Sequence, residues 1–170
     1  AVTIGSATAV ALTLETNPGG SISSNVAFPV QPVVRIRDNL GNVVMGATSL
    51  VTAVLYRGTG SLTSSASLVA TAVDGVATFS LLKINLAGSD KVLRFSWSVN
   101  LITVDSSIFT VGAGSSFELF VSQQPGVSVR SSRSITPVVV QIRDASGNVV
   151  AGDSLTQVSV SLQTGVGILT

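Results

Sequence analysis

Histidine and cysteine are both absent from this 170-residue chain, and charged residues make up only 10% of it. Without cysteine there is neither a disulfide framework nor a thiolate metal site. Without histidine the chain lacks the commonest general base and metal ligand, so its many serine and threonine hydroxyls have no imidazole to activate them. We therefore expect a protein that is not an enzyme, with no catalytic residues and no cofactor.

The sparse charge also limits the partners. A net charge of +1 gives no electrostatic reason to expect nucleic acid or an anionic membrane surface. No apolar run reaches 18 residues, so no membrane insertion is expected. Serine, threonine, glycine, alanine and valine take the place of charges, a composition that favours exposed β-sheets in fibres or surface proteins.

One motif occurs twice in the chain. Residues 32–44 read PVVRIRDNLGNVV, and residues 137–150 read PVVVQIRDASGNVV. Each copy predicts an apolar strand, a sharp polar turn and the start of another strand. The matched turn residues are Asp38, Gly41 and Asn42 in the first copy, and Asp144, Gly147 and Asn148 in the second.

The similarity extends beyond this motif and predicts a repeat of about 107 residues. Residues 2–5 match residues 109–112, and the match continues through residues 58–63 and 165–170 with small insertions in loops. The predicted division is a last strand of a preceding repeat plus linker (1–9), a complete unit (10–111), a linker (112–116) and the first half of a second unit (117–170). We call residues 10–111 the first unit and residues 117–170 the second unit.

The pattern of short strands predicts an all-β fold. Apolar runs at 10–16, 33–38, 50–56, 62–72, 76–84, 91–99 and 101–111 are separated by turn residues, and Asp74-Gly75 predicts a hairpin. Such spacing is typical of an immunoglobulin-like β-sandwich, one complete and one incomplete here. With no disulfide between sheets, we expect aromatic residues to supply the packing: Trp97, Phe95, Phe109 and Phe117.

Four segments carry a resemblance to a known family. They are FELFVSQQP at 117–125, the motif at 137–150, DGVATFSLLKI at 74–84 and VLRFSWS at 92–98. Together they resemble tandem bacterial immunoglobulin-like repeats of the invasin and adhesin kind. The resemblance implies extracellular or cell-surface stalks, fibres and adhesins, in which most repeats are spacers and a minority bind a ligand. It supplies no catalytic residues.

Three groups of residues are candidate sites, each with a structural alternative. Asp38 and Asp144 are weak candidate calcium ligands, and an Asx turn is the favoured explanation of an aspartate at this place. The outward-facing arginines of the two motifs, Arg35, Arg37 and Arg143, suit an anionic glycan, or simply a solvated strand. Tyr56 and Trp97 suit a sugar-stacking platform, or core packing.

The sequence therefore predicts a non-enzymatic structural repeat of an extracellular stalk, fibre or filament, with neighbouring repeats or copies of the same protein as partners. Two alternatives stay open. A filament subunit would complete its half-sandwich with strands from a neighbouring chain. An adhesin module would bind a glycan or a surface receptor.

Overall fold

The computed structural model describes residues 8–98, 101–126, 135–161 and 163–164, and these are all-β. Twelve strands run in the order β1 Ala11–Thr16, β2 Val33–Arg37, β3 Leu50–Arg57, β4 Leu62–Ser64, β5 Val69–Thr71, β6 Val76–Thr78, β7 Leu82–Ile84, β8 Gly88–Trp97, β9 Thr103–Asp105, β10 Phe109–Val111, β11 Glu118–Gln123 and β12 Val139–Arg143. Within the described ranges no helix is long and apolar enough to cross a membrane.

The first ten strands form three antiparallel sheets. One has the order β1-β2-β6, and the largest has the order β10-β8-β3-β5, with β9 paired to the same strand β8 as β10. Strands β4 and β7 make a small third sheet. A single core cluster contains side chains from both larger sheets, which is the arrangement of a β-sandwich.

Alternation along the strands explains which side chains enter that core. Val34 and Ile36 of β2 are fully buried, while Arg35 between them and Arg37 after them lie on the outer face, as a period of two requires. Phe95 of β8 lies in the same core and its ring packs against Phe79, with 5.2 Å between centroids. These contacts hold the two larger sheets together without a covalent link.

Three segments that the sequence predicts as single strands are each divided in two. Residues 62–72 form β4 and β5, because the hydroxyls of Ser64 and Ser67 accept hydrogen bonds from nearby backbone N–H groups and turn the chain. Residues 76–84 form β6 and β7, separated at Leu81, where φ is +55°. Residues 101–111 form β9 and β10, separated at the buried Ser106, whose hydroxyl accepts the N–H of Leu93.

The Asp74-Gly75 turn is present, but it does not join two paired strands. Both residues have positive φ, and Val73 and Val76 exchange two backbone hydrogen bonds across the turn. Strand β5 before it pairs with β3, whereas β6 after it pairs with β2. The turn therefore passes the chain from one sheet to the other.

Strands β11 and β12 pair in the same register as β1 and β2. Leu119 lies opposite Ile142 as Leu12 lies opposite Ile36, and both pairs contain a bulge at the same place. Leu12 is in the core, whereas Leu119 is 54% exposed. The strand pair therefore keeps its geometry without a described sheet packed over its apolar face.

Two glycines at positive φ give a test of the turns. Alanine at Gly41 meets only the left-handed backbone cost of about 1–2 kcal/mol, because no atom lies within 4 Å of the added Cβ. Alanine at Gly75 also meets the backbone oxygen of Val44 at 2.7 Å. We expect Gly75→Ala to lower the free energy of unfolding by at least about 1 kcal/mol more than Gly41→Ala, measured by urea denaturation. Equal losses would contradict the close approach of Gly75 to Val44.

Candidate functional site at the junction of the two units

The turn at residues 144–148 is held by the carboxylate of Asp144. Its Oδ1 accepts the backbone N–H groups of Ser146 and Asn148 at 2.8 and 2.9 Å. The backbone N–H of Asp144 donates to the carbonyl of Asn148 at 2.9 Å, and Gly147 takes a φ of +81°. We call residues 144–148 the docking turn. These bonds fix the direction in which the side chain of Asn148 points away from the turn.

The side chain of Asn148 crosses from the second unit to the first. The two hydrogens of its Nδ2 are shared among three acceptors: the carbonyl of Asn85 and Oγ of Ser24, both at 3.0 Å, and Oδ2 of Asp144 at 2.8 Å. Its Oδ1 accepts the backbone N–H of Ala87 at 2.9 Å. The carboxamide of Asn148 thus bonds both the carbonyl of Asn85 and the N–H of Ala87. A neighbouring β-strand would bond the same two backbone groups.

The surface that receives the docking turn belongs to two loops of the first unit. We call it the socket; it consists of Ser24, Asn25 and residues 85–87. Within it, the hydroxyl of Ser24 donates to the carbonyl of Asn85 at 2.6 Å. At its edge, the amide of Asn25 donates to the hydroxyl of Ser146 at 2.6 Å. The junction is therefore formed mainly by polar side chains and backbone groups.

The linker is tied to the same place. Gly112 exchanges backbone hydrogen bonds with the loop at 22–24, and the N–H of Gly114 donates to Oδ2 of Asp144 at 2.7 Å. A Cβ at residue 114 would lie 3.3 Å from both that oxygen and the carbonyl oxygen of Ser24, so a larger residue would push against both units. The linker, the docking turn and the socket thus form one hydrogen-bonded cluster.

The charge of Asp144 is stabilised by this cluster. Burial raises the pKa of its carboxyl, but hydrogen bonds from the side chain of Asn148 and from the N–H groups of Gly114, Asn148 and Ser146 outweigh burial and lower the pKa to about 2. Desolvation also raises the pKa of Asp38, but hydrogen bonds, chiefly from the backbone and side chain of Asn42 and the N–H of Leu40, outweigh it and lower the pKa. Both carboxylates therefore stay ionised in moderately acidic solution.

The calcium interpretation of these aspartates has no support in the geometry. Asp144 accepts four N–H groups, which occupy the lone-pair positions that a carboxylate offers. Asp38 accepts three, from the N–H of Leu40 and from both nitrogens of Asn42. In the part of the chain that the structure describes, no three acidic, histidine or cysteine side chains group around one point. Each carboxylate closes an Asx turn.

The outward arginines are engaged by neighbouring side chains. Glu15 contacts Nε of Arg35 at 3.2 Å and a terminal nitrogen of Arg37 at 3.5 Å. Arg143 binds the side-chain oxygen of Gln141 and stacks over the ring of Phe120 at 3.5 Å. The three arginines thus lie on two separate strand pairs, and Glu15 offsets much of the positive charge on the first.

The aromatic candidates lie in different environments. Phe95 is fully buried and Trp97 is only 5% exposed, so both present their rings to the core, while the partly buried Phe109 packs edge-on against Phe28. Tyr56 is exposed, but the guanidinium of Arg94 covers its ring at 3.3 Å. Trp97 and Tyr56 therefore do not form a shared stacking surface.

Phe117 lies at the junction and is 73% exposed. It lines a shallow cleft beside the docking turn, together with Ser24, Asn25 and residues 114–116 and 144–146. The role in assembly that the sequence predicts for Phe117 stays a prediction.

The sequence does not identify the socket or the buried Lys91. The ammonium of Lys91 donates to the carbonyl and hydroxyl of Thr59 at 2.7 and 3.2 Å, with glycines at 58 and 88 leaving room for its side chain. One signal could have identified Lys91: it alternates in phase with Leu93, Phe95 and Trp97, which places it on the inner face of β8. The socket has no such signal, because it acts largely through backbone atoms.

The pKa of Asp144 gives a pH test of the junction. Its folded-state pKa of about 2 is below the usual 3.8, so its contribution to stability is complete above about pH 4 and is lost as the pH falls towards 2. We expect Asp144→Asn to lower the melting temperature at pH 7 and the gap from wild type to shrink steadily between pH 4 and pH 2. Asp90→Asn, at an exposed position, is the control for loss of one negative charge. A gap that is constant with pH would contradict this role of Asp144.

Comparisons of this chain with protein-family models, with curated proteins and with solved structures gave no match.

Proposed function

We propose that this chain is a non-enzymatic structural repeat of an extracellular or cell-surface stalk, fibre or filament. Immunoglobulin-like units, repeating about every 107 residues, stack end to end and transmit force or set distance. The observation that carries the proposal is the junction, where Asn148 of the second unit pairs with backbone atoms of residues 85–87 in the first. A linker without such bonds would leave the units free to reorient.

Two further observations support a repeating structure. Strand pairs β1–β2 and β11–β12 share one register, one bulge and one turn geometry. The turn of the first copy, at residues 38–42, contains the same carboxylate-to-backbone bonds as the docking turn. Repetition of the same parts along one chain is how repeat proteins extend in one dimension.

The matched positions Asn148 and Asn42 provide a test of end-to-end stacking. Asn148→Ala removes the bonds that cross the junction, so we expect X-ray scattering of the full chain to show a wider distribution of maximum dimensions. Asn42→Ala makes the same change in a turn that the described residues do not place at a junction, so in the 170-residue chain, without any preceding unit, the scattering should match wild type. Identical profiles for wild type and Asn148→Ala would show that these bonds do not set the arrangement.

The function itself is tested by imaging the native protein from its source. Rod-like particles or fibres with a regular axial spacing would support the proposal. Compact particles that neither extend nor assemble would contradict it.

Strand completion between chains is a second candidate, and the exposed face of β11–β12 favours it. Leu119 and Val121 on this face are exposed, and Val140 and Ile142 opposite them are only partly buried, whereas Leu12, Val34 and Ile36 on the equivalent face of β1–β2 belong to the core. An apolar face of this kind is a site for strands from elsewhere. Binding of a glycan or receptor has no comparable observation in its favour.

The strand-completion candidate predicts concentration-dependent assembly. Sedimentation of the full chain should then show oligomers that grow with concentration, and charged substitution of the exposed face, such as Val121→Lys, should abolish them. Thr13→Lys, on the outer face of β1, is the control. A monomer at all concentrations would exclude self-completion and leave end-to-end stacking as the proposal.

A further inference from the structure

The turn at residues 38–42 is built like the docking turn and presents the same side chain. Asp38 Oδ1 accepts the N–H groups of Leu40 and Asn42 at 2.9 and 2.8 Å, as Asp144 accepts those of Ser146 and Asn148. Gly41 has a φ of +83°, and Gly147 a φ of +81°. The amide of Asn42 reaches Oδ2 of Asp38 at 3.2 Å, as the amide of Asn148 reaches Oδ2 of Asp144.

The two turns differ in what their asparagines contact. Asn148 is partly buried and makes three bonds to the socket, whereas Asn42 is exposed. Two residues before Asn42, Leu40 is 81% exposed. It occupies the position where the docking turn has Ser146. A preformed polar turn with an exposed amide and an exposed leucine is complementary to a surface that offers both backbone groups and an apolar cleft.

We propose that residues 38–42 dock into the socket of another unit of this same type, one that precedes the first unit in the polypeptide. The inference rests on the proposed function. The chain itself supplies the template, since the equivalent turn sits in a socket of this kind 106 residues later. Residues 2–5 match residues 109–112 at the end of the first unit, which favours a unit of the same type ahead of residue 10.

The socket of a second copy of this chain does not fit as the partner, because its own docking turn already fills that socket. The partner must therefore offer an unfilled pair of backbone groups equivalent to the carbonyl of Asn85 and the N–H of Ala87. Asn42 would pair with both through one carboxamide.

Leu40 sets the specificity of this second junction. At the observed junction Ser146 accepts a hydrogen bond from Asn25, and a leucine at that place offers no acceptor. The cleft beside Ser146 is lined partly by Phe117 of the second unit, and the matching residue of the first unit is the exposed Val10, so an apolar side chain lies ahead of β1 to pack against Leu40 at the second junction. We expect the partner unit to have a residue without a side-chain donor where the first unit has Asn25.

A transplant within the full chain tests the inference. The double substitution Ala145→Asn with Ser146→Leu gives the docking turn the sequence DNLGN of residues 38–42. The same double variant with Asn25→Gly removes the amide that loses its acceptor, and glycine keeps the φ of +59° found at residue 25. Docking is read from hydrogen exchange of the Ala87 N–H, which donates to Asn148.

In the wild-type chain the Ala87 N–H should be protected, and Asn148→Ala should speed its exchange by about 10-fold to 100-fold, as expected for loss of one or two buried hydrogen bonds. We expect the transplant with Asn25→Gly to keep protection within about 10-fold of wild type. The N–H of Leu93, bonded to Ser106 in the core, must stay protected in every variant as evidence of folding.

Exchange in both transplants as fast as in Asn148→Ala would overturn the inference, because residues 38–42 would then be unable to fill a socket. If that happens while wild-type Ala87 is protected, the end-to-end junction of the proposed function still stands. An unprotected Ala87 in the wild-type chain would overturn the junction, and this inference with it.

Discussion

The architecture depends on one interaction: an aspartate carboxylate accepting two backbone N–H groups of its own turn. In the docking turn this bond leaves Asp144 buried and ionised, and it holds Asn148 in the direction of the first unit. Without it, a five-residue loop would have many conformations, and the cost of ordering it would fall on the few hydrogen bonds across the junction. Because these two bonds lie within the turn itself, they reduce the ordering cost that the bonds across the junction must offset.

Elsewhere the chain relies on alternation and on small residues. The buried faces of β2 and β8 hold the two larger sheets together, and the glycines at 58 and 88 leave space for Lys91. A polar residue within the core pattern, such as Ser106, marks the place where a strand ends; the strands on either side of it, β9 and β10, pair with different parts of β8. Because the chain has few charged residues, hydroxyl and amide groups form many of the long-range polar contacts that ion pairs form in other proteins.

Much of the fold class could be predicted from the sequence, but not the sheet partners. The period-two pattern of residues 33–37 and the Asp-Gly turn at 74–75 were sufficient to predict an inner face and a tight turn. The division of residues 76–84 at Leu81 was not predictable, because leucine gives no sign that it will take a positive φ. Strand pairing across sheets depends on contacts distant in sequence, which local patterns do not encode.

The repeated motif identified the docking turn, whereas the socket was invisible, because Asn148 contacts backbone atoms of residues 85 and 87 rather than their side chains. These contacts do not depend on the side chains at residues 85 and 87. Residues 86 and 87 are then free to diverge between units, except that proline at 87 would remove the required N–H. A family of units joined in this way can lose sequence similarity at its contacts and still assemble in the same geometry.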